Sequence, residues 1–154
     1  MNQIGLKEKP SKELAQKLNL LLANYHIFYI NVRGYHWNIK GEKFFELHLK
    51  FEELYNDVVL KIDEIAERIK TLGETPLHTF TDYLALSAIK ETKNVSNGKE
   101  AVQNILNSLK ELLVLQREIL SLAGSADDEG TNALMSDYIR AQEKMVWMYN
   151  AYLA

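Results

Sequence analysis

Apolar side chains return along most of this chain every three or four residues, the period of a helix with one buried face. In the first run Leu14, Leu18, Leu21, Tyr25, Phe28, Val32 and Tyr35 alternate steps of four and three. Ser11 stands where an N-cap would precede it, so residues 1–10 read as a short arm and 11–154 as one domain. The run predicts a helix of roughly 28 residues, about 42 Å long. Gly41 marks a short break. A second seam follows through Phe44, Leu47, Phe51, Leu54, Val58, Ile62, Ile65 and Ile69, with Gly73 placed to end it.

Glu74 to Thr79 contains Pro76 and reads as a turn, and Phe80, Tyr83, Leu84 and Leu86 suggest a short helix inside a long connection. Asn97 and Glu100 have the spacing of a capping box, with Asn in place of Ser or Thr. Behind them runs a third seam of Val102, Ile105, Leu109, Leu112, Ile119 and Leu122, ending near Gly124. After an acidic turn comes a fourth, through Leu134, Tyr138, Ala141, Met145, Met148 and Tyr152. Four long helices with a long connection only between the second and third predict an all-α, ferritin-like four-helix bundle with a short extra helix in the crossover. The loop lengths make that distinction; helix content alone does not.

Composition narrows the chemistry. The 154 residues are 47% apolar and 25% charged, with a formal net charge of −3, so nothing global attracts nucleic acid. No apolar run is long enough to span a membrane, and no secretory signal opens the chain. The absence of cysteine removes disulfides, thiolate metal sites and thiol catalysis, and is compatible with a cytoplasmic protein.

The four histidines then matter. His36 closes the first helix; His48 lies on the second, with Glu52, Asp63 and Glu67 at helix-compatible spacing. Imidazole with carboxylate suits iron and other divalent metals such as zinc, cobalt or manganese. His48, Glu52, Asp63 and Glu67 form a stripe roughly 130° from the apolar seam, so it does not face the chain's own core. His48 and Glu67 are about 28 Å apart along the axis, too far to share an ion. The stripe instead holds two i,i+4 pairs, His48 with Glu52 and Asp63 with Glu67. A two-fold axis near Asn56 to Val58 would set one chain's first pair against the other's second, with Tyr55, Val59 and Ala66 on the same face. A solvated acidic face and a core-edge His36 are the plainer alternatives. No Glu here is followed three residues later by His, so the intrachain di-iron motif of larger ferritins is missing.

Four segments carry a family resemblance: YHWNIKG at Tyr35 to Gly41, FFELHLKFEELY around His48, KIDEIAERI at Lys61 to Ile69, and MVWMYNAYL near the end. The chain resembles the Dps family (DNA-binding protein from starved cells), the mini-ferritins, over nearly its whole length. The resemblance implies a hollow dodecamer with ferroxidase sites at two-fold interfaces, oxidation of Fe²⁺ to Fe³⁺ with hydrogen peroxide favoured as oxidant, and storage of ferric mineral. It makes His36, His48, Asp63 and Glu67 catalytic metal ligands, the last two facing the histidines from a second subunit. Glu52 stands where the family usually has Asp. Trp37 and Tyr35, beside His36 in sequence, become candidates for passing or trapping an electron.

Asp127, Asp128 and Asp137 surround the turn where the family tends to place an acidic three-fold pore, although acids at a helix N-terminus are also expected there. DNA binding is not well supported. Lys7 and Lys9 flank Glu8, no basic tail follows Ala154, and twelve copies would carry about −36. Lys7, Lys9 and Lys12 could still act together through multivalency. The competing reading is a DNA-compacting or structural oligomer with little ferroxidase activity.

Overall fold

The computed structural model describes all 154 residues. Five helices make up the chain: α1 (Glu8–Asn38), α2 (Phe44–Thr71), α3 (Phe80–Leu86), α4 (Gly98–Ser125) and α5 (Glu129–Leu153). The long four form the bundle as two hairpins, α1 with α2 and α4 with α5. α3 lies in the crossover, residues 72–97, as the spacing predicts. That crossover travels the length of the bundle, because its last residue bridges to Lys40 in the α1–α2 turn.

Asparagines on α1 hold the crossover. Asn19 donates to the Thr75 carbonyl and accepts from the Leu77 amide. Asn24 accepts from the Ala88 and Ile89 amides and from the Ser87 hydroxyl. Asn31 donates to the Lys90 carbonyl and accepts from the Thr92 amide. An irregular segment laid on a helix needs partners for its backbone groups, and these amides supply both a donor and an acceptor.

One helix end differs from the sequence expectation. α1 starts at Glu8, not after Ser11. Pro10 is tolerated there because first-turn amides have no intrahelical acceptor to lose. Ser11 is buried, and its hydroxyl donates back to the Lys7 carbonyl while accepting from Asn2. The arm is therefore shorter, residues 1–7, and it is folded: Asn2 Oδ1 accepts from the Ile4 and Leu6 amides. α4 ends at Ser125, near Gly124 as the sequence predicts. The left-handed residue beyond it is Asp127 (φ 57°), with Asp128 N–H bonded to the Ala123 carbonyl and Asp127 N–H to Gly124. α2 ends in the same motif with the glycine in place: Gly73 has φ 95°, and the Glu74 and Gly73 amides reach back to Ile69 and Lys70. Asp can occupy this conformation because its short side chain tolerates it better than most.

The bundle centre is polar at one level. Tyr25 Oη donates to Gln116 Oε1 (2.5 Å), Gln116 Nε2 to Gln142 Oε1 (2.7 Å), and Gln142 Nε2 to Tyr25 Oη (2.6 Å). The three come from α1, α4 and α5 and close a ring in which every hydrogen bond is internal. A satisfied buried network of this kind fixes helix register without charge.

Candidate metal centre

The α1–α2 turn brings His36 and His48 together. α1 ends at Asn38, Gly41 (φ 115°) turns the chain, and α2 starts at Phe44. The last carbonyls of a helix lack intrahelical partners. The His36 carbonyl is one of them, since the Lys40 amide bonds instead to Ser96. His48 Nδ1 fills the gap by donating to it at 2.7 Å. His36 Nδ1 returns the contact, donating to the His48 carbonyl at 2.6 Å. That carbonyl lies within α2 and has a second lone pair available.

The reciprocity fixes the chemistry of both rings. A carbonyl oxygen only accepts, so each imidazole carries its hydrogen on Nδ1. In the neutral form each Nε2 is then left with a free lone pair, the arrangement of a metal ligand oriented by its other nitrogen. The rings stack at 3.8 Å between centroids, 12° from parallel. Phe44 stacks on the far side of His48 at 4.9 Å, and Tyr55 meets His36 edge-on at 5.2 Å. His36 is buried and His48 half-buried.

The carboxylates behave differently. Glu52 is one turn from His48, whereas Asp63 lies about 22 Å further along α2 and Glu67 about 28 Å. Asp63 and Glu67 are exposed and Glu52 half-buried. No three metal-binding side chains converge within one chain. The lysines on and beside α2 serve Glu46, Glu53 and Asp57, leaving Glu52, Asp63, Glu64 and Glu67 without a cation in the chain. Around Glu52, Asp63 and Glu67 the helix exposes large apolar side chains: Phe45 (79%), Leu49, Val59 and Leu60. Sequence reading had named Tyr55, Val59 and Ala66 as the apolar members of this face. Tyr55 and Ala66 instead pack partly on the core. Phe45, Leu49 and Leu60 were missed because they fall outside the buried seam, and their angular proximity to Asp63 was the available signal.

Neither aromatic next to His36 in sequence touches its ring. Tyr35 is buried on another side of α1, its ring against Phe51 and its hydroxyl 2.8 Å from Thr92. Trp37 is 62% exposed, with the Arg33 guanidinium 4.7 Å from its ring centroid. Successive residues on a helix point 100° apart, so adjacency in sequence does not make contact.

At the acidic turn the helix-cap expectation is met. Asp128 is 2% exposed. It caps α5 by accepting from the Thr131 amide (3.0 Å) and hydroxyl, and it pairs with Arg68 at 2.6 Å. Its carboxylate is committed within the chain to the α5 cap and the Arg68 pair. Asp127 and Asp137 are exposed, the latter paired with Arg140.

Residues 15–154 match the ferritin-like domain family. The DNA protection during starvation protein of Porphyromonas gingivalis is 40% identical over 148 residues, covering 96% of this chain and 93% of its own length. This chain belongs to the Dps family. An uncharacterised protein of Haemophilus influenzae is 57% identical over 148 residues, 96% of this chain and 92% of that protein. The crystal structure of a Dps protein from Vibrio cholerae O1 superposes with a TM-score of 0.99 at 56% identity, covering all of this chain and 97% of that one. That protein is described as a member of a broad superfamily of ferritin-like diiron-carboxylate proteins. The superposition covers the crossover and its short α3 as well as the four long helices. No helix is long and apolar enough to cross a membrane.

Proposed function

We propose that this Dps protein oxidises Fe²⁺ at sites shared by two copies of the chain and stores the ferric product within a hollow homo-oligomer, a dodecamer in the cytoplasm. His36, His48 and Glu52 of one copy face Asp63 and Glu67 of the other across a two-fold axis. The observation that carries this reading is the reciprocal histidine pair, which leaves two Nε2 lone pairs free beside Glu52 on a chain whose Asp63 and Glu67 lie more than about 20 Å away along α2. Unpaired carboxylates among exposed apolar side chains, on one face of α2, supply what such an interface needs. The diiron-carboxylate description of the Vibrio cholerae relative supports iron as the substrate.

The ring geometry argues for two ions per site. An imidazole binds metal along its nitrogen lone pair, in the plane of the ring. Two rings stacked at 3.8 Å and 12° from parallel hold their lone pairs in separate, nearly parallel planes that do not meet at one nearby point. Each histidine would serve its own ion, at a separation comparable with the roughly 3.5–4 Å of two-metal sites. Two Fe²⁺ ions give up two electrons to one hydrogen peroxide, which takes two protons and leaves as two waters. Ionised carboxylates favour the step, since they stabilise Fe³⁺ more than Fe²⁺, and without metal they repel one another. Zinc, cobalt and manganese fit the same donors.

The test is anaerobic Fe²⁺ titration followed by peroxide. Wild type binds a fixed number of ferrous ions per chain and oxidises them in a burst, and Asp63→Ala loses both. A burst preserved in Asp63→Ala would remove the shared site, and no stoichiometric Fe²⁺ oxidation in wild type would leave a structural or DNA-compacting oligomer. DNA association rests on relatives named for DNA protection and on the exposed Lys7, Lys9 and Lys12. A chain of net charge −3 opposes it, and a gel shift at low salt decides it.

A further inference from the structure

Iron and peroxide do not match electron for electron. One Fe²⁺ gives one electron, whereas cleaving peroxide to water takes two. A site that meets peroxide with a single Fe²⁺ bound needs a second donor, or it releases a one-electron oxidant beside its own ligands. Four aromatic side chains near the histidines could supply that electron: Trp37, Tyr35, Tyr29 and Tyr55.

Geometry separates them. Tyr35 is buried away from the histidines, with its hydroxyl engaged by Thr92. Trp37 lies under the Arg33 guanidinium, 4.7 Å from the ring centroid. A cation is held over an aromatic face by the ring's electron density. Removing an electron from that ring turns the attraction into repulsion, so Arg33 makes Trp37 harder to oxidise. Tyr29 has the same neighbour: Arg33 sits 5.2 Å from its ring and donates to its hydroxyl at 3.4 Å. Tyr55 has no cation over its ring. Its edge meets the His36 imidazole at 5.2 Å, its hydroxyl makes no hydrogen bond within the chain, and it is half-buried. Tyr29 stands beyond it at 5.9 Å, edge-on.

We propose that Tyr55 is the auxiliary electron donor of the site, supplying the second electron when peroxide meets a single bound Fe²⁺. The proposal rests on the iron-oxidising reading above. In the balanced step Fe²⁺ gives one electron, and Tyr55 gives one electron and its phenolic proton. Solvent gives one further proton. The O–O bond breaks, two waters form, and Fe³⁺ and a neutral Tyr55 phenoxyl radical remain. Arg33, with its charge against both Tyr29 and Trp37, confines the radical to Tyr55 rather than letting it pass outward along the aromatic row.

Freeze-quench electron paramagnetic resonance tests this on the assembled protein, loaded with less than one Fe²⁺ per chain and mixed with peroxide. The expected result is a tyrosyl signal in wild type, retained in Trp37→Phe and Tyr29→Phe and lost in Tyr55→Phe. Arg33→Gln should let part of the signal change from tyrosyl to tryptophanyl character. A wild-type signal that survives at full size in Tyr55→Phe, or that vanishes in Trp37→Phe, overturns the assignment. If wild type shows no stoichiometric oxidation of Fe²⁺, the iron reading itself is overturned, whatever the radical spectrum. Normal oxidation without any protein radical overturns Tyr55 alone.

Discussion

The His36 and His48 imidazoles lie face to face at 3.8 Å, and each donates its Nδ1 hydrogen to the other's backbone carbonyl. The contact thus closes the α1–α2 turn and orients two Nε2 lone pairs at once. It follows that either histidine serves the fold as well as the proposed iron site. His48→Ala leaves the His36 carbonyl and the His36 Nδ1 environment altered, at a cost of about 1–3 kcal/mol for a buried polar group losing its partner. Denaturant unfolding at fixed protein concentration measures it. An equal midpoint in wild type and variant would mean that water replaces the contact without loss.

A shared site makes a prediction that an intrachain site cannot. His36→Ala and Asp63→Ala chains, each inactive alone, should recover activity when unfolded, mixed and assembled together. In a mixed pair one site receives both lesions and the other receives neither. Random pairing therefore restores about a quarter of the sites. Ferrous oxidation per chain in the mixture checks this. Activity no greater than that of the separate variants would overturn the shared site.

Asp128 separates a cap from a pore. Its carboxylate is buried between Arg68 and Thr131, so Asp128→Ala removes a helix cap and strands a guanidinium. Breaking a buried pair in this way costs about 3–5 kcal/mol. The variant should melt earlier while taking up iron normally per folded shell. Slowed uptake at unchanged stability would instead put Asp128 on the path of the ion.

The bundle was legible because its signals are local and periodic. Four apolar seams gave the long helices, Asn97 gave the start of α4, and Gly73 the end of α2. The long crossover could be counted in residues, but its course could not. Asn19, Asn24 and Asn31 look like ordinary helix-surface residues until the distant amides they bind are in place. The same limit applied at the site. Spacing placed the carboxylates on one stripe and showed that Asp63 and Glu67 could not meet His48, but only the turn geometry reveals the histidine pair. At the end of α4 the helix stops near Gly124 as the sequence predicts, while the left-handed residue beyond it is Asp127, which spacing does not single out.

Alkaline pH offers a test of the buried tyrosines. Burial pushes the hydroxyls of Tyr25, Tyr138 and Tyr149 well above their usual range, and nearby carboxylates such as Glu64 and Glu53 add to the shift. Their unfolded counterparts ionise near about 10. Above that pH the unfolded chain therefore binds fewer protons than the folded one, and stability falls as pH rises. Each such tyrosine contributes a slope of about 1.4 kcal/mol per pH unit, with no contribution below the unfolded value. Unfolding midpoints should be flat in this respect at neutral pH and drop steeply above it. Tyrosinate absorbance gives a second readout, because the three buried hydroxyls should ionise together with unfolding rather than before it. Tyr25 carries a further consequence, since losing its proton also breaks the donor link to Gln116 that closes the central ring. Smooth ionisation of all eight tyrosines in a still-folded protein would show that the bundle centre admits hydroxide and is not the sealed polar layer described above.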